Sequence, residues 1–104
     1  MPDYIEQPGK GVATRERVKP KPPRRYKVLL HNDDYTAMDF VVMILQDIFR
    51  KPFDEAERIM WNVHRQGVGL AGVYAKTVAE EKVKAVHDSA REHGYPLRCT
   101  TEPE

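Results

Sequence analysis

The sequence predicts an α+β fold, a β-α-α-β-α-β sandwich with three helices on one side of a three-stranded antiparallel sheet. Three observations carry this. Three short runs are β-branched or glycine-punctuated, three longer stretches repeat apolar residues at helical spacing, and their order alternates as a two-layer sandwich requires. With 104 residues the chain has room for one domain and a small core.

The first element is Tyr26-Lys27-Val28-Leu29-Leu30-His31, apolar with a polar flank, stopped by the turn formers Asn32-Asp33-Asp34. Thr36 with Asp39 three residues on has the spacing of a capping box. Phe40, Val41, Ile44, Leu45 and Ile48 then form the stripe of a first helix running to about Phe49. Lys51-Pro52 breaks the chain. Asp54, Glu55 and Glu57 place acids at the favoured end of a second helix, which carries Ile59, Met60, Val63 and His64 and stops at Gly67. Val68 to Ala75, short and glycine-punctuated, suits a second strand in close contact with another backbone. Thr77 and Glu80 repeat the capping spacing, and Val78, Val83, Val86 and Ala90 mark a third helix over about 77–93, ended by Gly94 and Pro96. Leu97 to Thr101 makes a last short strand.

Charge divides the chain. Residues 1–27 hold 8 Lys+Arg against 3 Asp+Glu, and the remainder holds 9 against 13. The basic part contains the Pro-rich run 19–25 and few bulky apolar residues, too few to offset the entropy of ordering it. We therefore expect a flexible N-terminal tail over 1–25 and a folded domain over 26–104. No apolar run approaches the roughly 20 residues that span a bilayer. One cysteine, Cys99, excludes an intramolecular disulfide, and no apolar stretch follows a basic start, so a cytoplasmic protein is expected.

The constellation with chemical content is Asn32-Asp33-Asp34-Tyr35-Thr36-Ala37-Met38 at a strand-to-helix turn, set against Val63-His64 on the second helix. Alone, Asn-Asp-Asp is a turn, a helical His a surface or core residue, and a Met among aliphatics a core filler. Their joint spacing is specific. Tyr26 to Thr36, Met60 with Val63-His64, Gly67, Gly72-Val73-Tyr74, Ala79-Glu80 with Lys82-Val83, and Pro96-Leu97 with Cys99 closely resemble the ClpS family over about residues 26–100.

The resemblance implies a non-enzymatic adaptor that captures proteins by an N-terminal Leu, Phe, Tyr or Trp, an N-degron. It hands them to the N-terminal domain of a ClpA-type AAA+ unfoldase of the ClpAP protease. It implies that Asn32, Asp34 and His64 bind the substrate's α-amino group. Leu30, Thr36, Met38, Val41, Met60, Val63 and Leu97 would line the side-chain pocket, with Met38 as a gate against β-branched side chains. Thr77, Glu80 and Lys82 fall where such adaptors meet the unfoldase. No cofactor or metal is implied, and a monomer is expected.

The chemistry of these residues agrees. An α-ammonium, with a reference pKa of about 7.7 to 8.0, points hydrogens in three directions. Asn32 offers an amide oxygen, Asp34 a charged carboxylate and neutral His64 a ring nitrogen, one acceptor for each. Acid that protonates His64 would remove its acceptor and repel the ammonium.

Other classes fare worse. The histidines show no paired ligand spacing for zinc, and Ser89 and Cys99 sit in no nucleophile elbow. A nucleic-acid- or ribosome-associated module using the basic tail as a phosphate-neutralising arm is the alternative. The acidic excess of the folded part opposes it. Three positions depart from the family pattern: His31 for an apolar residue, Ala37 for a common proline and Thr77 for an acid.

Overall fold

The computed structural model describes residues 24–104. The expected tail over 1–25 lies almost wholly outside the described residues. The elements are β1 (Arg25–His31), α1 (Met38–Asp47), α2 (Phe53–Gln66), β2 (Val68–Ala75), α3 (Lys76–Glu92) and β3 (Arg98–Pro103). This is the expected α+β order, with β1 central in an antiparallel sheet ordered β2-β1-β3.

Alternation along β1 sets the layers. Val28 and Leu30 are fully buried, whereas Lys27, Leu29 and His31 are only partly covered, so one face meets the helices. Leu30 stands opposite Gly69 on β2 and Cys99 on β3. Above that face pack Phe40, Ile44 and Leu45 of α1, Ala56, Ile59 and Val63 of α2, and Ala79, Val86 and Ala90 of α3. The β1–β2 register slips between Val28 and Leu29, leaving buried Ala71 as an extra residue that kinks the edge strand.

Two glycines place α2. Gly67, at φ 87°, is its left-handed cap, and its N–H donates to the Val63 carbonyl at 2.9 Å. At Gly69 a Cβ would stand 2.6 Å from Val63 Cγ2 and 3.3 Å from the Val63 nitrogen. Only a glycine there lets β2 lie directly against the last turn of α2.

Neither expected capping box forms. The residue before α1 is Ala37, in extended conformation, and its carbonyl takes the N–H groups of Phe40 and Val41 at 3.0 and 3.2 Å. Thr36 instead turns back to Asp33. α3 starts at Lys76 after extended Ala75, which puts Thr77 inside the helix, and the Glu80 carboxylate lies 4.0 Å from Lys76. β3 starts one residue later than expected and runs on to Pro103, paired with Tyr26.

α1 has no basic residue in its own last turn. Lys82 of α3 supplies one, donating from Nζ to the Ile48 carbonyl at 2.6 Å, where a cation complements the helix dipole. Among the described residues no helix is long and apolar enough to cross a membrane.

Candidate functional site

The turn after β1 is organised by Asp33. Its Oδ1 accepts the N–H groups of Tyr35 at 2.8 Å and Thr36 at 2.7 Å, and its Oδ2 accepts the Thr36 hydroxyl at 2.7 Å. Burial alone would raise the Asp33 carboxyl. The hydrogen bonds from the Thr36 hydroxyl and from the Thr36 and Tyr35 amides outweigh it and hold the group below the usual carboxylate value. With Asp33 consumed in this way, the carboxylate of Asp34 is left for other work.

A backbone bond joins this turn to α2: the Asn32 N–H donates to the Gly67 carbonyl at 2.9 Å. Asn32 is thereby fixed next to the last turn of α2, which carries His64. Between the two elements opens a cavity of about 280 Å³ lined by His31, Asn32, Asp33, Asp34, Thr36, Met38, Val41, Met60, Val63, His64 and Leu97.

The lining has two parts. Val41, Met60, Val63 and Leu97, from 2 to 6% exposed, form an apolar floor. Asn32, Asp34 and His64 are exposed polar groups on its rim, and Met38 stands beside them 36% exposed. Among the described residues none of the three polar side chains has a hydrogen-bonding partner. An apolar cavity of about 150 Å³ admits a benzene, so this one has room for an aromatic ring. The arrangement can hold an apolar side chain on the floor and a donor-rich cation at the rim.

Nine of the ten residues expected for the amine and side-chain sites line this cavity. Leu30 does not. It is fully buried, because its position in the alternation of β1 turns it into the core. Thr77, Glu80 and Lys82 lie elsewhere, on α3. Lys82 and Val78 border a second depression shared with Asp47, Ile48, Arg50, Glu81 and Ala85.

His31, one of the three departures from the family pattern, also lines the cavity, where a protonated imidazole would add charge. Its Nε2 lies 2.7 Å from Thr100 Oγ1, and burial, then the neighbouring Arg98 cation, keep its pKa below the ordinary value. That charge therefore appears only in stronger acid. Two residues escaped the sequence reading. Asp33 has a legible signal, an Asp followed two and three residues on by the amides it accepts, the pattern of an Asx turn. Trp61, whose ring meets His64 edge-on at 5.7 Å, has none beyond its i,i+3 spacing. Among the described residues no group of three or more His, Cys, Asp or Glu is placed to hold a metal ion.

Known proteins share this chain's sequence and fold. The family model described as ATP-dependent Clp protease adaptor protein ClpS matches residues 21–100. The ATP-dependent Clp protease adapter protein ClpS of Desulfatibacillum aliphaticivorans is 54% identical over 103 residues, covering 99% of this chain and 98% of that protein. The protein of the same name from Nitratidesulfovibrio vulgaris strain Miyazaki F is 62% identical over 80 residues, 77% of this chain and 80% of its own. Among solved structures, Agrobacterium tumefaciens ClpS2 bound to L-phenylalaninamide superposes with a TM-score of 0.77 at 43% identity, covering 80% of this chain and all of that one.

Proposed function

This chain belongs to the ClpS family of ATP-dependent Clp protease adaptor proteins, and on that premise we propose that it selects substrates by a free N-terminal amino group followed by Leu, Phe, Tyr or Trp. One observation carries the proposal: an apolar floor beside a rim of three polar groups, Asn32, Asp34 and His64, whose side chains have no partner among the described residues. L-phenylalaninamide, the ligand of the A. tumefaciens relative, has the two features this cavity is suited to, an α-amino group and a bulky apolar side chain.

The mechanism follows from the groups present. The side chain enters between Met60, Val63, Val41 and Leu97 and contributes about 1.5–3 kcal/mol by leaving water. The ammonium stays at the rim, where the Asn32 amide oxygen, the Asp34 carboxylate and a neutral His64 nitrogen each accept one hydrogen. Each bond to the charged group is worth roughly 1.5–3 kcal/mol, set against the cost of association, which makes micromolar affinity reasonable. No covalent bond changes in this scheme, so the proposed role is that of a non-enzymatic adaptor that needs no cofactor; action in the cytoplasm and as a monomer is a further part of the proposal.

Delivery to a ClpA-type unfoldase would use α3. Thr77 and Glu80 are exposed there, away from the substrate cavity, so both partners can bind at once. Lys82 bears on this surface through its methylene stem, since its ammonium is engaged by the Ile48 carbonyl.

The test is calorimetric titration with a peptide beginning Phe, beside the same peptide N-acetylated, which lacks the charge and two of the donors. Binding of the free amine at micromolar strength, with at least a hundredfold loss on acetylation, about 2.7 kcal/mol, is expected. Equal affinity of the two peptides, or none for either, would overturn the proposal.

A further inference from the structure

The chain has four histidines, and three of them have a ring nitrogen tied to a neighbour. His31 Nε2 lies 2.7 Å from Thr100 Oγ1, His87 Nε2 accepts the Cys99 N–H at 3.1 Å, and His93 Nδ1 donates to the Ser89 carbonyl at 2.8 Å. His64 differs. Its side chain is exposed, and among the described residues neither of its nitrogens has such a partner. Its ring meets the Trp61 ring at 5.7 Å between centroids and 79° between planes. Trp61 is itself covered by the Arg65 guanidinium, 4.9 Å from the centre of its ring. The three residues sit at i, i+3 and i+4 on α2, the spacing that makes helical side chains neighbours.

A hydrogen bond would orient the imidazole but would use one of its nitrogens. An edge-on aromatic contact restrains the ring plane without using a nitrogen in a hydrogen bond. A guanidinium over the indole restrains the indole in turn. We propose that Trp61, held by Arg65, is the positioning residue for His64, presetting the imidazole to accept from the substrate's ammonium. The inference rests on the amine-binding role proposed above. Trp61 itself does not line the cavity, so it acts through His64 and does not touch the bound side chain. Its partial exposure, 37%, fits a ring that serves one neighbour and is not part of the core.

The experiment is a double-mutant cycle on the full chain, read by titration with a free-amine Phe peptide. Trp61→Leu is expected to weaken binding about three- to tenfold, the effect of having to immobilise one side chain on binding. Trp61→Phe, which keeps an aromatic ring, is expected to recover most of the loss. In a His64→Ala background Trp61→Leu is expected to cost nothing further. Unchanged affinity in Trp61→Leu, or the same loss with and without His64, would overturn the proposal. A ligand-free measurement separates it from the amine-binding role. Proton NMR is expected to give nuclear Overhauser contacts between the His64 ring and the indole, and their absence overturns the stack even if the peptide binds. If the parent fails to distinguish free from acetylated peptide, the amine-binding role falls, and Trp61 as its positioning residue falls with it, whatever the spectrum shows.

Discussion

The cavity rim and the junction of α1 with α3 both display charged side chains at the end of an element, yet they use them in opposite ways. At the junction the Lys82 ammonium is spent inside the chain, on the Ile48 carbonyl and over the Tyr74 ring at 5.6 Å. At the rim one carboxylate, Asp33, is spent on three hydrogen bonds so that its neighbours Asn32 and Asp34 need not be. A polar group already satisfied by its own fold contributes to stability. One held in place without a partner is available to a ligand, and this difference, more than residue type or exposure, separates the two regions.

Substitutions should therefore divide cleanly. Asp34→Ala and His64→Ala are expected to lower affinity for a Phe-initiated peptide by about a hundredfold for the carboxylate, roughly 2.7 kcal/mol, and somewhat less for the imidazole. Thermal stability should change by less than about 0.5 kcal/mol, because neither side chain holds the fold together. Calorimetry and thermal unfolding of the same samples check this, and a large loss of stability would erase the contrast.

Lys82→Met gives the reverse pattern. Removing the cation from the end of α1 should cost about 1–1.5 kcal/mol of unfolding free energy in denaturant melts, while peptide affinity stays within twofold of the parent. A loss of peptide binding would mean that the two regions are coupled.

Met38→Ala should change selectivity more than strength. Shortening the rim is expected to admit N-terminal Ile and Val, improving their binding about tenfold, or about 1.4 kcal/mol, with Phe little affected. Continued equal exclusion of Ile by variant and parent would remove Met38 from the role of gate.

The smallest effect is that of pH on stability. His31 has a folded pKa below its ordinary 6.5, so the unfolded chain takes up its proton first, and its contribution, complete above 6.5, is lost as pH falls through the lowered folded value. Asp33 behaves likewise further down: its contribution is complete above the ordinary 3.8 and is lost as pH falls through its depressed value. Thermal midpoints should decline gently from pH 7 towards 5, and His31→Val should flatten that decline. An equally steep decline in the variant would place its origin elsewhere.

Much of this was legible in advance. β2 runs over the expected Val68–Ala75, and α2 ends at the expected Gly67, because glycine pattern and periodicity are local signals. The capping boxes at Thr36 and Thr77 were also local signals and failed. Each competes with another use of the same backbone: Thr36 was claimed by Asp33, and the first turn of α3 begins before Thr77 can cap it. Leu30 differs from the other residues that the resemblance implies for the pocket: β-strand alternation turns it into the core, and it is absent from the cavity lining.

The sequence by itself determined the element order, the apolar faces, the glycines and the residue types able to accept from an ammonium, since these depend on spacing within a few residues. Tertiary structure alone decided how the turn after β1 is set against α2 and where the Lys82 cation is spent. Both depend on contacts between distant segments, Asn32 with Gly67 and Lys82 with Ile48. A hydrogen bond between distant segments is made by geometry in three dimensions, and no local pattern contains its partner.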